Sequence, residues 1–306
     1  MIKKDAFVMN IIGGLGNQMF QYAYIKSLSK RIGRDFLLDF SSFDFYKLHK
    51  PIIKSLNIEN KIASKEVLID YKTQEIKSKC PKLFRKILRI KKFKIISSKF
   101  KTFKEQENAP AVFDKAFFSL SEAGYIIGYF QSEKYFKNIR RELLKDFLPK
   151  NGFSEKFKQF QKQIKNKKFS PISLHIRRGD YVSNSITKKV YGHCPLSYYE
   201  KAVKILQKSV KNPKLFIFSD DLKWVKENLK INLPMIFVNC ATPSTPYEDI
   251  WLMASCDHNI IANSSFSWWG AWLNENPKKI VIAPKKWFAK KDLKYKDIYC
   301  RNWKKI

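Results

Sequence analysis

Apolar positions along the chain fall into short runs separated by polar turns, and two different spacings alternate. Phe7 to Ile12 (FVMNII) is almost continuously apolar, which predicts a buried strand. The turn GGLGNQ follows. After it Met19, Phe20, Ala23, Ile25, Leu28 and Ile32 recur near the helical period, predicting a helix from Met19 to Arg31 with Gly33 as its C-terminal cap. Phe36 to Phe40 (FLLDF) predicts a second strand and completes a β-α-β unit. Further on, GYIIGYF at 124–130 reads as a strand, RRELLKDFL at 140–148 as a helix, and SEKFKQFQKQIKNKK at 154–168 as a polar helix or linker.

From Ser170 the alternation is regular. Strand ISLHI, loop RRGDYV, helix PLSYYEKAVKILQKSV, strand KLFIFS, turn DDLKW with a short helix, and strand MIFVN follow one another. Helix TPYEDIWLMASC, strand NIIA, turn NSSF, helix SWWGAWLNEN and strand KIVIAP complete the series. Such alternation predicts a parallel sheet covered on both faces, and sheets of this kind bind ligands in the loops at the carboxyl ends of their strands. Three polar loops fall at that edge: RRGDY, SDD and NSSFS. The expected fold is α/β, with two Rossmann-like domains facing a cleft. We place the boundary between 1–168 and 169–306, with the final segment free to pack back on the N-terminal domain.

Composition narrows the classes. A chain of 306 residues that is 44% apolar and 15% aromatic has ample material for sizeable cores and is not a disordered polymer. No run approaches the roughly 18 uncharged apolar residues of a membrane span, and MIKKDAFVMN lacks the apolar region of a signal peptide, so a cytoplasmic location is expected. The five cysteines are scattered with no C-x-x-C spacing, which argues against a disulfide framework and against a zinc site.

The formal net charge of +33 is a field that attracts phosphorylated ligands, anionic membrane surfaces and nucleic acid alike. Lysines spread over a solvated surface are the plainer account of it. The stretch from Lys72 to Lys104 is the exception, with 13 basic residues and one acid. Within it, PKLFRKILRIKK would place Leu83, Phe84, Ile87 and Leu88 along one helical face, so an anionic leaflet is a candidate partner for this stretch, beside the plainer reading of an amphipathic surface helix.

Candidate chemistry collects in the carboxyl-edge loops. HIRRGD sets His175, Arg177, Arg178 and Asp180 at one strand-to-loop transition, where alternation points His175 and Arg177 the same way. An arginine fork suits phosphate oxygens, and for Arg178 a bracing pair with Asp180 competes with that role. In IIANSSFSWWGAWL a strand ends in hydroxyl residues that open a helix, whose free N–H groups and dipole favour an anion. Ser264, Ser265 and Ser267 could bind phosphate there, or serve as an ordinary N-cap. Trp268, Trp269 and Trp272 read as packing residues. Asp249 could accept hydrogen bonds from a nucleobase edge, and Asp220 with Asp221 reads as an N-cap without metal. Gly14 and Gly16 fail the dinucleotide fingerprint because the third glycine is absent, Met19 standing in its place. They still permit close backbone approach, and Asn17 and Gln18 present amides at a helix start.

Together GGLGNQMFQYA, HIRRGDYV, FSDD and IIANSSFSWWGAWL resemble the bacterial α-1,2-fucosyltransferases of glycosyltransferase family 11, in the family's order and across nearly the whole chain. The resemblance implies a GT-B-like fold that transfers L-fucose from GDP-β-L-fucose to the 2-hydroxyl of a galactoside with inversion, using neither metal nor cofactor. It implies that Arg177 meets the donor phosphates with His175 nearby, and that Asn17 lies near the second phosphate and sugar. It also implies that Asp249 recognises guanine and that Ser264, Ser265, Phe266 and Ser267 form the phosphate turn. Asp180 is the candidate base, beside a base-free loose transition state. The competing class, a basic nucleic-acid-binding protein, explains neither the glycine loop nor the strand-end anion sites, and no nucleic-acid partner is expected.

Overall fold

Two parallel sheets organise the chain, and side-chain alternation along their strands divides the apolar residues among three cores. The computed structural model describes residues 5–68, 71, 100–179 and 185–306. The first sheet runs β2-β1-β4-β3, from β1 (Phe7–Asn10), β2 (Phe36–Asp39), β3 (Lys101–Lys104) and β4 (Gly124–Ile127). The second runs β10-β9-β8-β5-β6-β7, from β5 (Ser170–Ile176), β6 (Pro213–Ser219), β7 (Met235–Phe237), β8 (His258–Ile260), β9 (Val281–Ala283) and β10 (Lys304–Lys305). Every pairing in both sheets is parallel.

The period-two rule is visible in the packing. Phe7 and Met9 of β1 and Phe216 and Phe218 of β6 point into one continuous core between the sheets. Val8 faces the outer core of the first sheet, while Leu215 and Ile217 face the outer core of the second.

Helix α1 (Leu15–Ile32) fills much of the space between the sheets. It begins at Leu15 rather than Met19, so Gly16, Asn17 and Gln18 belong to its first turn and not to the preceding loop. The buried Gln18 makes this start possible. Its amide donates to the carbonyls of Gly13 and Lys50 at 2.7 and 2.8 Å, and its carbonyl accepts from the Ile53 N–H at 3.1 Å, so a polar side chain at the helix start carries no unmet hydrogen bond. At the other end Gly33 is left-handed, at φ +70, and donates to Ser29 as a C-terminal cap should.

Helix α2 (Glu155–Ile164) is capped by Ser154, whose N–H and hydroxyl also donate to the buried Glu248. It packs on α5 (Tyr247–Ser255), which leads into the second sheet. The remaining helices used below are α3 (Leu196–Gln207), α4 (Leu222–Asn228) and α6 (Ser265–Leu273). The C-terminal segment returns to the first half, where Asp297 accepts from the Phe113 N–H at 2.9 Å and pairs with Lys134.

The basic stretch is corrected in part. Residues 101–104 (KTFK) form edge strand β3, and Lys101 and Lys104 are exposed along it. The other sheet has a lysine edge too, at Lys304 and Lys305. Charged side chains along open edges oppose strand addition by other chains, which gives these lysines a structural use. The amphipathic helix expected at 81–92 lies outside the described residues. No described helix is long and apolar enough to cross a membrane.

Candidate functional site

The carboxyl ends of β1 and β8 open two helices whose first turns touch. Gly14, extended at φ −68, is the N-cap of α1 and brings no side chain to cap it. Ser264 caps α6, its hydroxyl accepting from the Phe266 N–H at 3.3 Å. Gly16 stands against the second of these turns, where a Cβ would lie 2.6 Å from the Ser265 carbonyl carbon. The Trp269 indole donates to the Gly16 carbonyl at 2.9 Å, and Phe20 packs on Trp268 and Trp269 with ring centroids 4.5 and 4.9 Å apart. All three tryptophans of α6 are therefore packing residues, with Trp268 and Trp269 fully buried and Trp272 at 4% exposure. Neither first turn contains an acidic residue. Two positive helix ends side by side repel one another, and an anion at their common mouth offsets the repulsion.

His175 and Arg177 belong to the adjacent strand end. His175, at 3% exposure, sets its ring 5.6 Å from that of Phe266, and its Nδ1 has no hydrogen-bond partner among the described residues. Burial, reinforced by the Arg177 charge, lowers its pKa to about 3, so the imidazole is neutral at physiological pH. Arg177 pairs with Asp220 at 2.9 Å, and its side chain is partly exposed. The other oxygen of Asp220 accepts from the Arg178 N–H at 2.8 Å, and any side chain at Gly179 would collide with this carboxylate. Asp220 thus shapes the RRG loop, whereas the expected N-cap role falls to Asp221 alone, which accepts from the Trp224 N–H at the start of α4.

Arg178 turns the other way. Its Nε lies 3.2 Å from Asp221 and its guanidinium stacks on the Trp224 ring, 3.3 Å from the centroid. The brace expected for Arg178 with Asp180 is here seen with Asp221. Asp180 itself lies outside the described residues, so the candidate base has no described geometry.

The serine turn divides by burial. Ser264 and Ser267 are buried, and the Ser267 hydroxyl donates back to the Ser264 carbonyl at 3.4 Å, while Ser265 and Phe266 are partly exposed. Asp249, in the first turn of α5, accepts from the Ala241 N–H at 3.1 Å. Burial raises its carboxyl to about 7 against the opposing pull of that N–H, and the neighbouring Glu248 charge adds to the rise. Among the described residues, no group of three or more His, Cys, Asp or Glu side chains is placed to hold a metal ion.

The first sheet contributes groups that sequence reasoning passed over. The Gln131 amide donates to Asn17 Oδ1 at 2.9 Å, and the His49 ring borders Gly14, 3.5 Å from where a Cβ would stand. Asn263 ties the end of β8 to the Tyr191 and Trp287 carbonyls at 2.9 and 3.1 Å. Gln131 and Asn263 follow strand ends, and carboxyl-edge placement was the available signal for both.

Paired parallel sheets with such loops at their meeting carboxyl edges form a GT-B-like fold, two Rossmann-like domains facing a cleft. The chain belongs to glycosyl transferase family 11, whose model matches residues 1–306. It is 33% identical over 302 residues to an alpha-1,2-colitosyltransferase of Escherichia coli, covering 98% of each chain. It is also 33% identical to the O-antigen biosynthesis glycosyltransferase WbnK of Escherichia coli, over 90% of this chain and 93% of the relative. Galactoside alpha-(1,2)-fucosyltransferase 2 of Rattus norvegicus is 24% identical over 88% of this chain and 67% of its own length. Among solved structures, a mutant of Arabidopsis thaliana FUT1 in complex with GDP superposes with a TM-score of 0.50 at 11% identity, covering 90% of this chain and 70% of that one.

Proposed function

We propose that the protein transfers L-fucose from GDP-β-L-fucose to the 2-hydroxyl of a terminal β-galactoside, inverting the anomeric carbon. The observation that carries this reading is the meeting of two acid-free helix N-termini beside a neutral His175 and the Arg177 guanidinium. Displacing GDP leaves charge on the departing diphosphate and oxocarbenium character on the sugar. Fixed donors at the diphosphate act more strongly there than on the ground state. Arg177 supplies the mobile-proton-free charge, and the first-turn N–H groups of α6 with the Ser265 hydroxyl supply dipoles. Asp249 accepts from the guanine edge, and Asn17 reaches the sugar side from α1.

The colitosyltransferase relative motivates a second donor. Colitose lacks one ring hydroxyl of L-fucose, so the two sugars are separated by a hydroxyl contact and not by the diphosphate grip. Incubation with GDP-fucose and with GDP-colitose over a panel of β-galactosides, followed by linkage analysis, tests both. We expect α-1,2-linked fucoside as the main product. Product with colitose alone would reassign the donor, and no transfer from either would overturn the reading.

Two further outcomes are expected. The proposed chemistry places diphosphate stabilisation on protein groups, so transfer is expected to continue undiminished in EDTA; loss that manganese restores would refute this. Asp249 must be ionised to accept both guanine N–H donors, and its carboxyl near 7 protonates as pH falls. GDP affinity is therefore expected to weaken about tenfold from pH 8 to pH 6. Asp249→Asn should retain only the slope due to phosphate ionisation, as titration calorimetry at both pH values would show.

A further inference from the structure

Behind the site, a buried carboxyl group holds a turn that the transfer reading above does not use. We infer that Glu105 is a positioning residue: through the backbone of the 128–131 turn and the Gln131 amide it fixes the side chain of Asn17 at the mouth of the site. The inference rests on the proposed role of Asn17 on the sugar side.

Glu105 follows β3 and is 9% exposed. Its Oε2 accepts from the Tyr129 N–H at 2.7 Å, and both oxygens accept from the Phe130 N–H at 3.2 Å. These amides belong to the turn after β4, at the carboxyl edge of the first sheet. Phe130 is left-handed at φ +52, a conformation uncommon for a residue with a side chain. Its ring stacks on Tyr24 with centroids 3.8 Å apart. Gly128 leaves room for the carboxylate, since a Cβ there would lie 2.6 Å from Glu105 Cβ. The Gly128 carbonyl accepts from Gln21, whose own carbonyl accepts from the Ile12 N–H, which ties the turn to the end of β1.

The turn delivers Gln131. Its Nε2 donates to Asn17 Oδ1 at 2.9 Å, which fixes the Asn17 amide and leaves its NH2, beside Gly13, as the donor group. Asn17 adjoins Gly16, which abuts Ser265 of the phosphate turn. Hydrogen bonds thus run from Glu105 through the turn backbone and Gln131 to the Asn17 amide on the sugar side. Burial pushes the Glu105 carboxyl up to about 8 despite its two amide donors, and Asp114 pushes the same way.

A double-mutant cycle separates positioning from general support. Glu105→Gln, which turns an NH2 donor toward a turn amide, is expected to lower kcat about tenfold and the melting temperature by a few degrees while GDP affinity stays near wild type. In an Asn17→Ala background the same substitution should cost almost nothing further. An equal loss in both backgrounds, or a matching loss of GDP affinity, would overturn the inference. Gln131→Ala, which leaves the Glu105 bonds intact, serves if Glu105→Gln does not fold, with the same non-additivity expected. Absence of transfer by the wild-type protein would instead defeat the functional reading. The Asn17 side-chain NH2 resonances then decide: a shift in Glu105→Gln and in Gln131→Ala supports the linkage, and unmoved signals overturn it.

Discussion

Arg177→Ala is expected to lower kcat/KM by about 10²–10³-fold, the loss typical of removing one well-aimed donor from a developing oxyanion. The guanidinium carries its charge at any relevant pH and projects from the end of β5, where Asp220 holds it at 2.9 Å. That ion pair is partly exposed, so its own contribution to folding is small and the variant should melt within a few degrees of wild type. Arg177→Lys is expected to recover only part of the loss, since one ammonium cannot reproduce a planar fork. Steady-state kinetics with saturating acceptor, together with thermal melting, check both. Turnover of Arg177→Ala within threefold of wild type would remove Arg177 from the diphosphate. Arg178→Ala is the informative contrast, because its guanidinium is committed to Asp221 and Trp224. It should lose stability more than turnover.

Much of the fold was legible because burial on both faces writes a simple signal. β1, β2, β5 and β6 are apolar runs bounded by polar turns, and α3 and α5 carry helical spacing. The less legible parts share a physical cause: what decides them is contact between segments far apart in sequence. The start of α1 depends on Gln18 reaching Lys50 and Ile53, a match no local pattern records. Strand β3 looked like part of a charge run because edge strands expose their lysines. Glu105 gave no signal in the sequence, since its importance lies in amides 24 and 25 residues away.

The candidate site was legible to a different degree. Strand-end loops and arginine chemistry pointed to the carboxyl edges of the sheets, but residue type alone could not separate the neighbours within each motif. Arg177 and Arg178 are neighbours with opposite surroundings, as are Asp220 and Asp221, and Glu248 and Asp249. In each pair strand alternation, a helix cap or a buried contact separates the two. The tryptophans of α6 show the converse. Their helical spacing already indicated packing, and the contact of Trp269 with Gly16 shows that this packing also joins the two halves at the site.

Gly16→Ala is the second large effect expected, and it tests that junction directly. The glycine loop invited a reading in which its glycines only admit a ligand, yet Gly16 makes its close approach to Ser265. A methyl group 2.6 Å from the Ser265 carbonyl carbon meets backbone, which cannot rotate away as a side chain can. The first turns of α1 and α6 must then separate, stretching the Trp269 bond to the Gly16 carbonyl. Overpacking of this kind costs about 1–3 kcal/mol, and displacement of reacting groups by about 1 Å costs on the order of 10²-fold in rate. Gly16→Ala should therefore lose melting temperature and kcat/KM together. Gly33→Ala supplies the comparison: at φ +70 with nothing within 4 Å of the new Cβ, it strains only the cap of α1. It should melt lower by a similar amount and keep its turnover. If Gly16→Ala also keeps its turnover, the contact between the two helix starts is not part of the arrangement that transfers the sugar, and the anion site must form with the halves further apart.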